Sequence, residues 1–181
     1  MRAIGVIAVL ATSVAVTGRA HAVEREHKIG LDVGVPLLVV QQSTSTVLSG
    51  TSFGLHYSYG LNDAFNLLAD GSTSLLFAGT PSMVTVNNVN VGIGYVLDVL
   101  SWVPWAGVEL GGYAVTADPA GGTQVYPGAS LSLGVDYRFD RSWAAGIVLR
   151  QHMLLAHDFG RDATLPSFTQ GFARIEYTWG W

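Results

Sequence analysis

The chain has 181 residues, of which 49% are hydrophobic, 12% are charged and 22 are Gly, and its formal net charge is −4. A disordered chain needs high net charge and few apolar residues, so this composition excludes one, and the negative charge argues against a nucleic-acid partner. The absence of Cys excludes disulfides, thiolate metal sites and thiol catalysis.

The N terminus has the form of a secretory signal peptide. Arg2 precedes an apolar stretch at residues 3–16, and the small-x-small sequence Ala20-His21-Ala22 follows it. The stretch is too short to cross a membrane as a helix, which takes about 20 residues. We predict cleavage after Ala22, so residues 1–22 are the signal peptide and residues 23–181 form one mature domain.

Apolar residues occupy every second position through most of the mature domain. In the first run, residues 28–35, the apolar Ile29, Leu31 and Val33 alternate with small or polar residues. Further runs follow at residues 53–61, 65–77, 89–97, 106–114, 130–139, 145–153 and 172–181. Successive side chains of a strand point to opposite faces, so each run predicts a strand with one apolar and one polar face. The sequence therefore predicts an all-β domain of eight strands.

The connections between these strands alternate in character. One set is predicted at residues 62–63, 98–104 and 140–141, two of which are tight turns. The other set, mostly longer and rich in polar residues, is predicted at residues 41–50, 79–82, 118–122 and 157–167. Short turns at one end and longer loops at the other, with both termini at the short end, are typical of outer-membrane barrels. Pro36 would remove a ladder hydrogen bond, so we expect a bulge or the end of the first strand there.

The distribution of residues on the two faces distinguishes a membrane barrel from a soluble one. A lipocalin-like barrel also alternates, but its exterior is polar. Here the apolar face is almost free of charge, and a Lys or Arg facing lipid at mid-depth costs about 2–4 kcal/mol. All five Trp residues lie near the short turns, Trp105 among them, as expected of rings at the headgroup level. The predicted periplasmic-side aromatic girdle comprises Tyr59, Phe65, Tyr95, Trp102, Tyr137, Phe139, Trp143, Trp179 and Trp181.

The C-terminal segment, residues 171–181 (GFARIEYTWGW), resembles the signature strand of Gram-negative outer-membrane proteins. In that group the terminal aromatic and the alternating apolar residues before it are recognised by the barrel assembly machinery. The resemblance implies that Ile175, Tyr177, Trp179 and Trp181 form this assembly signal. The mature chain as a whole resembles the small OmpA-, OmpX- and OmpW-like barrels. We therefore expect a closed eight-stranded antiparallel transmembrane β-barrel over residues 23–181, in the outer membrane with both termini periplasmic.

Charged residues on the polar face are the candidate site residues, because eight strands enclose an interior that side chains can fill. The predicted inward set is Asp32, His56, Asp70, Glu109, Asp136, Arg138, Arg150, His152, Arg174 and Glu176. An isolated buried charge is costly, so these groups are expected to pair. The sequence places Arg174 and Glu176 beside Arg150 and Asp32, in a network that plugs the lumen. The alternative is that the pairs exchange to open a small pore, or that the barrel carries small or apolar solutes.

Enzymatic activity is not expected. Residues 150–154 superficially resemble a stretch of outer-membrane lipid A deacylases, but Leu154 stands where the Ser is required. A nucleophile needs its base within hydrogen-bond reach, and no Ser, His and acidic set lies at a matched height. His56, His152 and His157 lie on different elements, so neither a metal site nor any other cofactor is expected. A lipid A or phospholipid hydrolase and a secreted soluble lipocalin-like ligand-binding barrel remain as alternatives.

The predicted role is that of a structural or surface-interaction component of the cell envelope. It would act through the loops at residues 41–50 and 157–167. The expected partners are outer-membrane lipid, the barrel assembly machinery during biogenesis and an extracellular partner reached through the loops. No nucleic acid is expected among them.

Overall fold

The computed structural model describes residues 25–41, 45–77, 83–98, 101–117, 122–155 and 167–180. The strands in chain order are β1 (His27–Gln41), β2 (Ser45–Gly60), β3 (Phe65–Phe77), β4 (Met83–Val96), β5 (Trp102–Ala117), β6 (Thr123–Arg138), β7 (Trp143–Leu154) and β8 (Ser167–Trp179). Each strand pairs antiparallel with the next, and β1 pairs with β8, which closes the barrel. The described residues contain no helix that is long and apolar enough to span a bilayer. The predicted fold class is confirmed.

The two faces of the wall have opposite polarity to those of a soluble barrel. Leu133 and Val91 point outward and are 52% and 57% exposed, whereas Asp136 and Asn90 point inward and are 5% and 1% exposed. The alternation expected from the sequence thus continues in the same phase through the strands, with the apolar set outside. An apolar exterior around a polar interior is the arrangement that suits hydrocarbon surroundings.

One predicted loop is wrong. Instead of forming a connection at residues 41–50, the chain continues β1 to Gln41 and begins β2 at Ser45, with Leu37 paired to Ser49. The polar composition of this segment indicated a loop, but ladder hydrogen bonds join backbone groups and do not require apolar side chains. Val and Thr residues here also favour extended backbone.

Pro36 and Pro104 lie inside strands, contrary to prediction. Pro36 neither ends β1 nor causes a bulge: it pairs with Gln170 of β8, and the register to β2 is the same before and after it. The β1–β2 ladder omits residues 35 and 36, so the lost donor is accommodated without an extra residue. The predicted corner at residues 98–104 is shorter, since Pro104 belongs to β5 and pairs with Val135. Pairing of β5 with β4 begins only at Trp105, so Pro104 is at the end of that ladder.

Two of the short connections are held by side-chain acceptors. Asn62 Oδ1 accepts a hydrogen bond from the Phe65 backbone N–H at 2.9 Å, and Asp140 Oδ1 accepts one from Trp143 at 2.8 Å. Asn and Asp favour such turns because their side chains bond the backbone a few residues on. We call the end of the barrel with residues 61–64, 97–98, 101 and 139–142 the turn end, and the opposite end the loop end.

Candidate functional site

The interior of the barrel is the candidate site, and alternate positions of all eight strands supply its side chains. Pairing brings them to common levels: Asp32 of β1 faces Arg174 of β8, and His56 of β2 faces Asp70 of β3. Gly30 makes room for this arrangement, because a Cβ atom there would collide with the His56 ring. Residues far apart in sequence therefore meet in a narrow lumen.

Arg150 forms the central bridge of the interior. Its Nη2 lies 3.2 Å from Asp32 Oδ2, and its Nη1 lies 3.4 Å from Asp70 Oδ1. The guanidinium also lies over the Phe172 ring, 5.3 Å from the ring centroid. All three charged side chains are buried. Since Arg150 is on β7, Asp32 on β1 and Asp70 on β3, these ion pairs cross the lumen between strands that are not neighbours.

Arg174 forms a second centre nearer the turn end. It pairs with Glu176 through Nη2, and its Nε lies 3.5 Å from Asp136 Oδ1. The guanidinium stacks on the Trp105 ring at 5.0 Å from the centroid. A cation between two carboxylates and a ring face has both charge compensation and dispersion contacts.

His56 joins the two centres into one network. Its Nδ1 lies 2.8 Å from Asp32 Oδ1, and its Nε2 lies 3.1 Å from Glu176 Oε2. Both contacts are buried and span strands β1, β2 and β8. The network is therefore continuous from the Arg174 centre to the Arg150 centre.

Glu109 is held differently from the other carboxylates. Its Oε2 accepts hydrogen bonds from the hydroxyls of Ser130 and Ser132, both at 3.1 Å. Within the described part of the chain, Glu109 takes part in no salt bridge, although it is 2% exposed. The Glu109 carboxyl is thus held by hydroxyl donors, whereas the other carboxylates of the lumen network pair with Arg150 or Arg174.

Arg138 is one predicted lumen residue that lies apart from the network. Its Nη1 lies 2.8 Å from Asp98 Oδ2, and its Nη2 lies 3.8 Å from Glu26 Oε2. Its side chain is 27% exposed, because it is the last residue of β6 and sits at the turn-end mouth. Arg138 points inward, as the sequence predicts, but it lies at the end of the barrel. The alternating pattern shows which face a residue is on and does not show how far along the barrel axis it lies.

A layer of neutral hydrogen-bonding groups lies on the loop-end side of the charges. Gln170 Nε2 donates to the hydroxyls of Ser72 at 3.0 Å and Ser74 at 2.8 Å. Gln170 Oε1 lies 2.7 Å from His152 Nε2, and His152 Nδ1 lies 2.9 Å from the Tyr113 hydroxyl. His152 thus points inward as expected, but it belongs to this neutral layer and not to the ion pairs.

An apolar cluster inside the loop end was missed by the sequence reasoning. This loop-end apolar cluster consists of Leu48, Leu76, Val86, Tyr113, Leu154 and Phe168. Leu38, Val84, Val115 and Tyr126 pack against it. The sequence does carry a signal for it, since runs such as Leu75-Leu76-Phe77 are apolar on both faces near the loop end. The interior therefore changes along its axis from charged to neutral polar to apolar.

A small cavity lies within the charged part of the interior. It has a volume of about 40 Å³, and its lining includes Lys28, Asp70, Trp105 and Glu109. A water molecule needs at least about 10–15 Å³, so the cavity is large enough to hold water. Among the described residues, no group of three His, Asp or Glu side chains could hold a metal ion.

The predicted aromatic girdle lies on the outer wall at the turn end. Its described members are Tyr59, Phe65, Tyr95, Trp102, Tyr137, Phe139, Trp143 and Trp179. Rings pair across neighbouring strands, with centroids 5.4 Å apart for Phe65 and Tyr95 and 4.8 Å apart for Trp102 and Tyr137. Trp181 lies outside the described residues.

Two further sequence expectations concern this end of the barrel. Ile175, Tyr177 and Trp179 of the assembly signal point outward and are exposed, as their alternation requires. The interpretation of every Trp as a ring at the membrane interface is wrong for Trp105, which faces the lumen and contacts Arg174. Gly134 opposite permits this, because a Cβ at that position would collide with the indole.

No protein-family model matches the sequence, and no curated protein does. Among solved structures, Neisserial surface protein A (NspA) is 14% identical with a TM-score of 0.68, covering 83% of this chain and 96% of its own. The N-terminal β-barrel domain of Pseudomonas aeruginosa OprF is 15% identical with a TM-score of 0.62, covering 86% and 98%. Ail of Yersinia pestis is 10% identical with a TM-score of 0.60, covering 86% and 99%. The chain therefore has the fold of the small eight-stranded transmembrane β-barrels of Gram-negative outer membranes.

Proposed function

We propose that this chain is an integral outer-membrane protein with a structural or surface-interaction role in the cell envelope and a lumen closed by its own side chains. Its termini lie in the periplasm, its signal peptide is removed after Ala22, and its loop end faces outward. The observation that carries the proposal is the combination of an uncharged, apolar exterior with a buried network of ion pairs.

The exterior supports location in a bilayer. No outward position in the eight described strands holds Lys, Arg, Asp or Glu, while side chains such as Val89 and Ile147 are 68% and 63% exposed. A soluble barrel would leave this surface in contact with water, and exposed apolar surface of that extent marks membrane contact or aggregation. The secreted lipocalin-like alternative is therefore disfavoured.

The interior supports a closed lumen. Ion pairs cross it between β7, β1 and β3, and the neutral layer and the loop-end apolar cluster follow along the axis. An eight-stranded barrel leaves room for side chains but for no aqueous channel. A surface role would then fall to the loop end, where the predicted loop at residues 157–167 is the longest connection. Its residues 157–166 lie outside the described part of the chain, and the other predicted loop, at residues 41–50, is mostly strand.

Catalysis is not part of the proposal. His152, the base of the hydrolase alternative, is fully buried in the lumen and contacts Gln170 and Tyr113 through its two nitrogens. A lipid hydrolase needs its nucleophile and base on the face that lipid reaches.

The test combines fractionation with conductance. The protein should fractionate with outer membranes, and the folded form should run differently from the heated form on a gel. In planar bilayers the refolded protein should give no conductance. Recovery in the aqueous fraction would overturn the membrane assignment. Steady conductance from the pure protein would instead establish the alternative, a small pore or solute carrier, for which the cavity beside Glu109 is the structural argument.

A further inference from the structure

We propose that the interior is a blind, hydrated compartment that opens at the turn end and is sealed at the loop end by the apolar cluster, not by the ion pairs. The inference rests on the proposed function in that it assumes a non-conducting barrel in a bilayer. It adds which layer forms the permeability barrier and from which side water enters.

The turn-end half retains access to water. The cavity is lined there by Lys28, Ser58 and Asn66, each of which lies within two residues of the turn end of its strand. Lys28 and Asn66 remain 7% and 8% exposed, and Arg174 deeper in the lumen remains 8% exposed. Leu48 at the loop end is also 7% exposed, so the opening is assigned to the turn end by the position of the cavity and not by exposure alone.

Polar atoms in the same half also need water as a partner. Trp105 Nε1 and Arg150 Nε are buried without a hydrogen-bond partner in the protein, and both residues line the cavity. Buried polar groups are normally satisfied by protein or by water. In the described neutral layer only Asn88 Nδ2 is left in this condition. The demand for water is thus concentrated in the charged half.

Among the described residues, apolar side chains close the loop-end half of the lumen. Leu76, Tyr113 and Phe168 are 0% exposed and come from β3, β5 and β8, so the cluster closes the lumen from several sides. Gln170 and His152 beneath it bond each other and their neighbours, which leaves few donors for a passing ion. An apolar constriction stops ions by excluding water, and crossing it would strip an ion of its hydration.

The two candidate barriers can be separated by conductance. In Leu76→Ser with Phe168→Ser the apolar cluster becomes polar and small. In Arg150→Met with Asp32→Asn and Asp70→Asn the central ion pairs are removed together with both carboxylate charges that Arg150 compensates. Folding of each variant is checked by heat-dependent gel mobility. We expect conductance from the first variant and none from the second. The proposal would be overturned if the folded Leu76→Ser, Phe168→Ser variant gave no conductance, or if the variant without the central ion pairs conducted. Conductance of the unsubstituted protein would instead overturn the proposed function.

Thiol labelling gives a second measurement that does not require the double variant to conduct. The chain has no Cys, so single substitutions report on their own site. Ser58→Cys at the turn end and Ser74→Cys in the neutral layer are treated in detergent with 2-aminoethyl methanethiosulfonate, a small cationic reagent. Position 58 should react at least about tenfold faster, because labelling at position 74 requires local opening. Adding Leu76→Ser and Phe168→Ser should remove that protection. Equal rates at the two positions in the parent background would contradict a one-sided compartment.

Discussion

Removing the cation at the centre of the interior should be the most destabilising single change in the lumen. In Arg150→Met the apolar stem is roughly kept, but Asp32 and Asp70 lose the guanidinium that lies 3.2 Å and 3.4 Å from them. Both carboxylates are buried, so the few water molecules that the cavity can hold replace only part of the solvation that the guanidinium supplies. Removing one partner of a buried ion pair typically costs about 3–5 kcal/mol, and two carboxylates depend on this Arg. We expect a loss at the upper end of that range.

The assay is equilibrium unfolding in urea with the protein in phospholipid vesicles, followed by Trp fluorescence. Arg138→Met is the matched control, because its side chain is 27% exposed and its ion pairs lie at the mouth, where a pair contributes at most about 1 kcal/mol. Adding Asp32→Asn and Asp70→Asn to Arg150→Met should recover most of the loss, since the two carboxylates that Arg150 paired are then uncharged. If Arg150→Met and Arg138→Met unfold at the same urea concentration, the ion pairs do not stabilise the interior as argued.

Two further predictions concern the wall. Ile147→Arg places a charge at an outward position well inside β7, and it should lower the free energy of unfolding in vesicles by about 2–4 kcal/mol. Its control, Val125→Arg, lies near the loop end of β6 and should lower this free energy by at most about 1 kcal/mol. Equal losses in the two variants would contradict the depths assigned to these positions. Gly134→Ala should lower the free energy of unfolding by about 1–3 kcal/mol, because the added methyl collides with the Trp105 ring. In the control, Gly171→Ala, no atom lies within 4 Å of the added methyl, so the free energy of unfolding should stay within about 0.5 kcal/mol of the parent value. An unchanged stability of Gly134→Ala would show that the indole is not confined there.

The wall of the barrel was predictable because its constraint is local. Ile175 faces outward because its neighbours in sequence, Arg174 and Glu176, face the lumen, and successive side chains of a strand point to opposite faces. Hydrocarbon excludes charge from one face, so the phase of each strand can be assigned one run at a time. For that reason the strand number, antiparallel order and inward set could all be predicted without any knowledge of pairing.

Strand ends were predicted less well because their determinants are not side-chain polarity. The segment around Gln41 and Ser45 is polar, yet it continues the ladder. Backbone N–H and C=O groups form ladder hydrogen bonds wherever both strands are extended, whatever their side chains are. Pro36 failed as a stop signal for a related reason. Only one of its two ladders needed the donor that proline lacks, and the ladder to β8 continues through it.

The contacts inside the lumen depend on the width and stagger of the closed barrel, which cannot be derived from any one strand. Arg150 reaches Asp32 and Asp70 across the lumen, and His56 reaches Glu176, so these contacts depend on barrel width and stagger as well as on neighbouring pairs. The sequence could list the charged groups but could not give their depth, which is why Arg138 was grouped with residues it does not meet. Depth also separates the loop-end apolar cluster from the charges, and it follows only once closure fixes the register of all eight strands. Permeability is therefore a property of the closed barrel, in which the order of layers along the axis decides what can pass.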